Sequence, residues 1–477
     1  MRLLKSAAPA TSTALFLLDA AGVALAWPLA LWITLTNAGP GASFFENFPS
    51  DLRLLLHPAA NLLLLYAMGL YRRDAILETR RSLARVPLVV GMGAAIGSAS
   101  VFLLPMLSSQ FPPLGRPDQV VLFALAMVCF VTAAFAVRIL FFVLLRRRLF
   151  RRHLMVLGAG RRALDLFMML GNEGTNLHYD ITFVHDCVLG EVEPRLACNP
   201  GCRIVDSNNF RLLEIAESIG ADQIVIAPDE RRGMRLESLL ECKKAGFPVV
   251  QYLSFIEREI RRVDIKRLEL SWIVYSDGFY FGFADRLLKK LLDVLVSAVM
   301  LVATSPFLLL SAAAIRWEGR GPIFYHQERV TQDGRVFRIV KLRTMRTDAE
   351  KNGAVWAATA DDRITRVGRF LRRSRLDEIP QLWNVLKGDM SLVGPRPERP
   401  VFIAELASHI PLYNERHMVK AGLTGWAQIN YPYGASIDDA RSKLSYDLYY
   451  VKNFSILFDL LILLQTLRVV LFPSGVR

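Results

Sequence analysis

Apolar positions at the start of this chain lie in long, nearly uncharged runs. Four of them, Thr13 to Leu35, Leu52 to Tyr71, Pro87 to Met106 and Gln119 to Leu145, have the length of a membrane-crossing helix, about 20 residues. One such run can be a buried core helix. Four within 145 residues, with little polar relief, predict a bundle of four transmembrane helices over residues 1–150. Cations sit before the first run (Arg2, Lys5), between the second and third (Arg72, Arg73, Arg80, Arg81, Arg85) and after the fourth (Arg146, Arg147, Arg148, Arg151, Arg152). The loop Asn37 to Asp51 has none, and Leu107 to Asp118 has only Arg116. The positive-inside rule therefore places the N-terminus and everything after Arg146 in the cytoplasm. No small-residue cleavage site closes the first run, so a cleaved signal peptide is not expected.

From His153 the pattern becomes short apolar strands alternating with helical stretches. Leu154 to Gly160, Ile181 to Cys187, Gln223 to Pro228 and Phe247 to Leu253 read as strands, and Arg161 to Leu170 has helical periodicity. Such alternation predicts a doubly wound parallel sheet, a Rossmann-like α/β domain over residues 151–280. Gly158, Gly160 and Ala163 match G-x-G-x-x-A, and Asp186 ends the next strand near where a ribose-binding acid would stand. A lone fingerprint of this kind is weak, because the same glycines also serve a tight strand-to-helix turn.

A fifth apolar run, Leu287 to Ile315, is interrupted by Ser305-Pro306. Proline in mid-helix removes a backbone hydrogen bond, and a neighbouring serine can help satisfy the freed carbonyl. Cations at both ends (Lys289 and Lys290, then Arg316 and Arg320) predict that the segment breaks at Ser305-Pro306 and returns to the side it entered from. From Ser455 to Pro473 the chain is apolar again and reads as an in-plane interfacial helix, with Tyr449 and Tyr450 upstream as an interfacial aromatic cluster.

Composition agrees with a membrane protein of mixed α and α/β class. Hydrophobic residues make up 53% of 477, and the formal charge of +14 suits an anionic lipid surface. The basic residues flank apolar segments and form no separate basic domain, which argues against nucleic acid. Five cysteines show no paired metal spacing and read as reduced cytosolic thiols.

The densest chemistry lies in Leu371 to Pro397, LRRSRLDEIPQLWNVLKGDMSLVGPRP. Asp377 and Glu378 stand among Arg372, Arg373, Arg375 and Arg396, a set suited to handling a polyanion through a divalent metal. The turn Gly394 to Pro397 is a rigid device for holding Arg396. Arg363, Arg366, Arg369, Arg372 and Arg373 make a basic helical stripe whose outer members suit lipid head groups. Lys341 and Arg343 form a second basic pair, and Asp447 is a further acidic candidate. In GLTGWAQIN, Trp426 offers an apolar surface and Gln428 and Asn430 offer amides for a substrate pocket.

This segment resembles the signature of the bacterial polyprenyl-phosphate sugar-1-phosphate transferases, the monotopic phosphoglycosyl transferases. The similarity runs from about Phe283 to the C-terminus and includes PIFYHQERV (Pro322 to Val330), KLRTM (Lys341 to Met345), GLTGWAQIN (Gly422 to Asn430) and YDLYYVKN (Tyr446 to Asn453). The four-span start and GAVWA (Gly353 to Ala357) resemble the larger exopolysaccharide-priming members. The resemblance implies a re-entrant membrane helix over 281–320 and a cytosolic catalytic domain over 321–477, on the cytoplasmic face of the inner membrane. It implies transfer of a sugar 1-phosphate from a UDP-sugar to undecaprenyl phosphate, with UMP released. Asp377 would be the nucleophile, Glu378 the principal Mg²⁺ ligand, and Arg372, Arg396, Lys341 and Arg343 the phosphate-binding cations. Expected protein partners are a second copy of the chain and downstream glycosyltransferases; the sugar is left open. The alternative is a non-catalytic membrane scaffold of a polysaccharide assembly complex, against which the intact Asp377-Glu378 pair argues. One departure stands out: Thr331 occupies a position where the family usually has glycine.

Overall fold

The structure is a computed structural model. It describes residues 10–38, 53–72, 83, 85–96, 117–147, 151–172, 179–199, 201–207, 211–268, 273, 278–279, 282–347, 349, 362–431, 434 and 436–471. The chain forms two compact units, Met1–Ile260 and Arg261–Arg477.

In the first unit, helices Ala10–Ala38, Arg53–Ala67, Arg85–Ile96 and Pro117–Arg146 fall on the four expected runs. The end of the third run, residues 97–106, lies outside the described residues, as does GAVWA. Of this unit, Ala124–Leu144 is long and apolar enough to cross a bilayer, whereas Thr13–Ala26 and Arg85–Ile96 are shorter apolar stretches. The first and last of the four helices pack against each other and are pinned by a buried ion pair, Arg138 Nη1 to Asp19 Oδ1 at 2.6 Å. An ion pair desolvated in this way fixes register more than it adds stability.

The same unit contains a five-stranded, fully parallel sheet ordered β3-β2-β1-β4-β5. Its strands are β1 Arg152–Leu157, β2 Tyr179–His185, β3 Arg203–Asp206, β4 Gln223–Ile226 and β5 Val249–Gln251. Alternate strand residues feed two separate cores. Leu154, Val156, Phe183 and Val225 pack with helices Arg161–Asn172 and Tyr252–Ile260. Met155, Leu157, Val184 and Ile224 pack with helices Leu212–Ser218 and Leu236–Lys244. A sheet buried on both faces explains why its strands read as continuous apolar runs.

The second unit begins earlier than expected. Residues 261–268, assigned from the pattern to the sheet domain, pack here: Val263 and Ile265 are in its core, and Val263 N donates to Ser445 O at 3.0 Å. Helix Phe283–Glu318 continues without interruption for 36 residues, about 54 Å at 1.5 Å per residue. The break expected at Ser305-Pro306 does not occur. Pro306 removes the amide that would have bonded the Val302 carbonyl, and Ser305 Oγ donates to that same carbonyl at 2.8 Å, so the helix carries on.

Around this helix lie an antiparallel hairpin, β6 Phe324–Val330 with β7 Val336–Leu342, and a short parallel pair, β8 Ser391–Val393 with β9 Gly422–Thr424. The core collects Leu382, Val385, Leu392, Trp426, Leu448 and Tyr450 from four different segments. Helix Ile456–Leu471 covers β8 and β9 on one side, with Ile462 buried and Leu457, Leu460 and Leu467 exposed.

Candidate active site

Helix Arg366–Arg373 ends at Ser374, and Arg375 then adopts a left-handed conformation (φ 59°, ψ 12°). This reversal costs a non-glycine residue about 1 kcal/mol and is the kind of strain stored at functional sites. It sets Leu376–Glu378 as a 3-10 turn between that helix and helix Gln381–Lys387. Asp377 and Glu378 thus stand on a tight 3-10 turn between two helices.

The two carboxylates are treated differently. Glu378 Oε1 accepts from Lys341 Nζ at 3.2 Å and from Arg396 Nη2 at 3.2 Å, and Oε2 accepts from Arg375 Nη1 at 3.4 Å. Burial alone would raise the Glu378 carboxyl, but Lys341, Arg396 and Arg375 together hold it well below the usual range. Asp377 is 7% exposed, and its carboxylate makes no hydrogen bond among the described residues. Burial, then the Glu378 charge, pushes it up to about 6 against the pull of Lys341, Arg372 and Arg375. One carboxylate is held firmly ionised by three cations; the other makes no hydrogen bond among the described residues, and burial pushes its carboxyl up. Two such groups whose surroundings drive them apart suit different roles in one reaction.

Arg396 is held by its backbone. Gly394 N donates to Thr424 O at 2.9 Å and Gly422 N to Pro395 O at 2.8 Å, stitching the Gly-Pro-Arg-Pro turn to GLTGW. A Cβ on Gly394 would collide with the Lys420 carbonyl and the Gly422 amide, and one on Gly425 with the Gly394 carbonyl. The glycines of the two motifs therefore exist for each other. Arg329 Nη1 bonds Pro397 O at 2.9 Å and Arg416 Nη2 bonds Arg396 O at 3.0 Å. Arg416 is itself buried, paired with Asp447 Oδ2 at 2.7 Å and bonded to Tyr413 Oη at 2.7 Å.

The structure brings together Asp377, Glu378, Lys341 and Arg396, with Arg372 close enough to act on Asp377 while its Nε donates to Thr344 Oγ1 at 2.9 Å. It places others elsewhere. Arg343 donates to the carbonyls of Gly319 (2.9 Å) and Arg320 (3.2 Å), closing the C-terminus of the long helix. Trp426 is buried, with Nε1 on Arg261 O at 2.9 Å, and Asn430 Nδ2 donates to Trp426 O at 2.8 Å. Gln428 Nε2 donates to Leu423 O at 3.3 Å. Asp447 reaches the site through Arg416. Thr331 needs no glycine-like backbone (φ −124°): its hydroxyl donates to Asp389 O at 2.9 Å and accepts from Ala421 N at 3.1 Å. Sequence reasoning passed over Arg329, Thr344 and Arg416 as site-builders. Arg329 had one available signal, since it alternates with Gln327 and Tyr325 on one face of β6.

The glycine fingerprint of the first unit serves its own turn. Asp229 Oδ2 and Oδ1 accept from the amides of Arg161 (2.6 Å) and Arg162 (2.9 Å), the donors that a phosphate at this helix N-terminus would need. Gly158 has φ +108°, and a Cβ there would strike Ala227 and Pro228. Asp186 accepts from Val188 N at 3.0 Å and caps a 3-10 turn.

The bacterial sugar transferase model matches residues 284–473. The chain is 39% identical over 275 residues to the UDP-N-acetylgalactosamine-undecaprenyl-phosphate N-acetylgalactosaminephosphotransferase of Aeromonas hydrophila, covering 56% of this chain and 64% of that one. It is 48% identical over 129 residues to a putative undecaprenyl-phosphate N-acetylgalactosaminyl 1-phosphate transferase of Bacillus subtilis (strain 168), 27% of this chain and 72% of the relative. It is 41% identical over 180 residues to the UDP-glucose:undecaprenyl-phosphate glucose-1-phosphate transferase of Caulobacter vibrioides, 37% and 67% respectively. The chain thus spans somewhat under two thirds of the Aeromonas relative and more of the other two. All three alignments, like the carboxylate turn and its cations, point one way: this chain belongs to the bacterial sugar transferase family.

Proposed function

We propose that this protein transfers a sugar 1-phosphate from a UDP-sugar to undecaprenyl phosphate, yielding undecaprenyl-diphosphate sugar and UMP, as the priming step of exopolysaccharide synthesis. The observation that carries the reading is the pairing of an unengaged Asp377 with a Glu378 held by three cations. Asp377 attacks the phosphorus that bears the sugar; the bond to the UMP oxygen breaks, and UMP leaves with the electron pair. The resulting acyl phosphate is attacked at phosphorus by an oxygen of the lipid phosphate, which expels the Asp377 carboxylate. Arg372, Arg396 and Lys341 neutralise the phosphate oxygens, without which two polyanions repel each other.

Magnesium fits the donor set. Among the described residues no cluster of three or more acidic, histidine or cysteine side chains forms a complete cage. Mg²⁺ characteristically takes one or two carboxylates and completes its sphere with water and substrate phosphates, which the Asp377-Glu378 turn permits. Glu378, kept ionised, would be its ligand. When bound, the ion would neutralise the diphosphate and favour departure of UMP.

The membrane arrangement is part of the proposal: four spans at the start, and a long helix whose two ends lie on the cytoplasmic side of the inner membrane. This is supported by contacts at both ends with the same compact unit. Near its start Lys289 Nζ bonds Asp459 (2.6 Å) and Val393 O (3.1 Å), and Asp293 Oδ1 accepts from Leu392 N (3.0 Å). Near its end Glu318 accepts from Val367 N at 3.1 Å. Between them Val299, Val302, Leu309 and Leu310 are exposed, a surface for lipid. Reporters fused after Arg152 and after Arg320 should report the same side; opposite sides would make the helix a true span.

The activity is tested by incubating purified protein with Mg²⁺, undecaprenyl phosphate and a panel of labelled UDP-sugars. Label entering the lipid fraction with UMP release from one sugar supports the reading and names the donor. No transfer from any donor would leave a scaffold.

A further inference from the structure

The two edges of the parallel sheet are fitted out differently. At the C-terminal ends of the strands, where doubly wound sheets usually take ligands, Asp229 already fills the helix N-terminus. At the opposite edge, where the strands begin, lies a cavity of about 170 Å³. Its polar lining is Arg152 and His153 of β1, Tyr179 of β2, Asp222 just before β4, Gln223 within it, and Arg258 of helix Tyr252–Ile260.

Gln223 is the unusual member. β4 pairs with β1 so that Gln223 lies opposite Leu154, which packs in the core shared with helix Tyr252–Ile260. The register thus turns a polar side chain toward an apolar layer, and Gln223 is 8% exposed. Its Oε1 accepts from Arg258 Nη2 at 2.6 Å, but its Nε2 is buried with no hydrogen-bond partner among the described residues. A buried amide donor left unpaired is destabilising, and such groups are rare in folded proteins unless something completes them. Two guanidinium groups share the lining with it. Arg258 places Nη2 on Gln223 and Nε on Glu259 (3.3 Å), and its Nη1 has no partner among the described residues. The Arg152 guanidinium makes no hydrogen bond among them either. Asp222, the acid of the lining, is turned to the backbone: its Oδ2 accepts from His153 N at 2.8 Å.

We infer that this cavity binds a phosphoryl group, with Gln223 Nε2, Arg258 Nη1 and the Arg152 guanidinium donating to its oxygens. Donors drawn from two strands and a helix suit a tetrahedral oxyanion better than a planar carboxylate, which takes a single guanidinium fork edge-on. The cavity is smaller than the pockets of drug-sized ligands, about 300–1,000 Å³, so it holds one phosphate with at most a small substituent. Two sources offer that group. One is a soluble phosphate or small ester; the other is a lipid head group, since the chain from Arg146, the end of the last apolar helix, to Arg152 spans at most about 20 Å. The site is independent of the transferase reading, which concerns the other unit.

The test follows hydrogen–deuterium exchange of the full chain in detergent with inorganic phosphate, glycerol 3-phosphate, or chloride at equal ionic strength. Either phosphate should slow exchange in peptides covering β4 and helix Tyr252–Ile260, and chloride should not. Exchange at Leu376–Glu378 is read in the same samples, so phosphate at the carboxylate turn is told apart. Gln223→Glu keeps the side chain's shape, gives Arg258 a carboxylate partner and replaces the unpaired donor with an anion. Without ligand this variant should exchange no faster than native, while its half-saturating phosphate concentration rises about tenfold or more. Arg258→Gln should weaken binding in the same direction. Nanodiscs of phosphatidylcholine with and without phosphatidic acid separate the two sources. Protection by phosphatidic acid that excess glycerol 3-phosphate does not displace assigns the site to a head group; protection by the free probes alone assigns it to a soluble ester. No protection by any of the three phosphates overturns the inference, as does equal protection by chloride or binding unchanged in Gln223→Glu. A Gln223→Glu protein that exchanges faster than native without ligand also overturns it, by showing the amide donor already satisfied within the fold.

Discussion

Replacing Asp447 with asparagine removes the carboxylate that pairs with the Arg416 guanidinium, leaving Glu398 as the acid that still acts on it among the described residues. Arg416 is 5% exposed and Asp447 2%, and burial pushes the Asp447 carboxyl up even though Arg416 pulls it down. Removing one partner of such a pair strands the other as an uncompensated buried charge, which costs about 3–5 kcal/mol. For a unit of this size each kcal/mol lowers the midpoint by about 2–4 °C, so the fall should be about 6–20 °C. The turn at Arg396 should also shift, because Arg416 Nη2 holds its carbonyl. A displacement of about 1 Å at a catalytic group lowers turnover about 100-fold. Thermal unfolding and initial rates on the same preparation separate the two effects. The double variant Asp447→Leu/Arg416→Met removes both charges and should recover stability to within about 2 kcal/mol of native, yet remain slow, because Arg396 has lost its anchor. An Asp447→Asn protein within about 1 kcal/mol of native, or a fast double variant, would refute this reasoning.

Three further outcomes follow from the site. Asp377 reacts as the carboxylate, so kcat/KM for the nucleotide sugar should be flat above pH 7 and fall about tenfold per unit below about 6; Lys341→Met removes a nearby cation and should move that midpoint upward. Glu378→Gln should leave the fold intact and nearly abolish turnover, with a magnesium titration displaced to higher concentration; an unchanged titration would remove Glu378 as ligand. Gly394→Ala should unfold at lower temperature and lose activity, since its Cβ has no room against Lys420 and Gly422; a native-like melting curve would contradict the backbone packing described for the two turns.

Length and polarity made the apolar helices legible: helices fall on all four runs, and Ala124–Leu144 among them is long and apolar enough to cross a bilayer. The parallel sheet was legible for a similar reason: strands buried on both faces are apolar throughout. The carboxylate turn stood out as a candidate because Asp377, Glu378 and Arg372 are neighbours in sequence. What stayed hidden was decided by partners far along the chain. Arg343 looked like a phosphate ligand until the end of the long helix was seen to lie against it, offering the Gly319 carbonyl. Trp426 looked like an apolar surface for a substrate pocket, but Tyr449 and Phe458 enclose it within the core. Asp229, 68 residues from Arg161, takes the helix N-terminus that the glycine fingerprint had seemed to offer to a phosphate. Asp447 and Arg416 gave no hint of each other, since the pattern of one helix cannot reveal what faces it.

The central claim is that Asp377 carries the sugar phosphate between donor and acceptor. It is tested most directly by mixing enzyme, Mg²⁺ and the cognate UDP-sugar with no lipid acceptor. The covalent route predicts UMP released in an amount matching the active sites and a sugar-phosphate adduct on the peptide containing Asp377, absent from Asp377→Asn. No UMP and no adduct until undecaprenyl phosphate is added would contradict it and make the transfer a direct attack within a ternary complex.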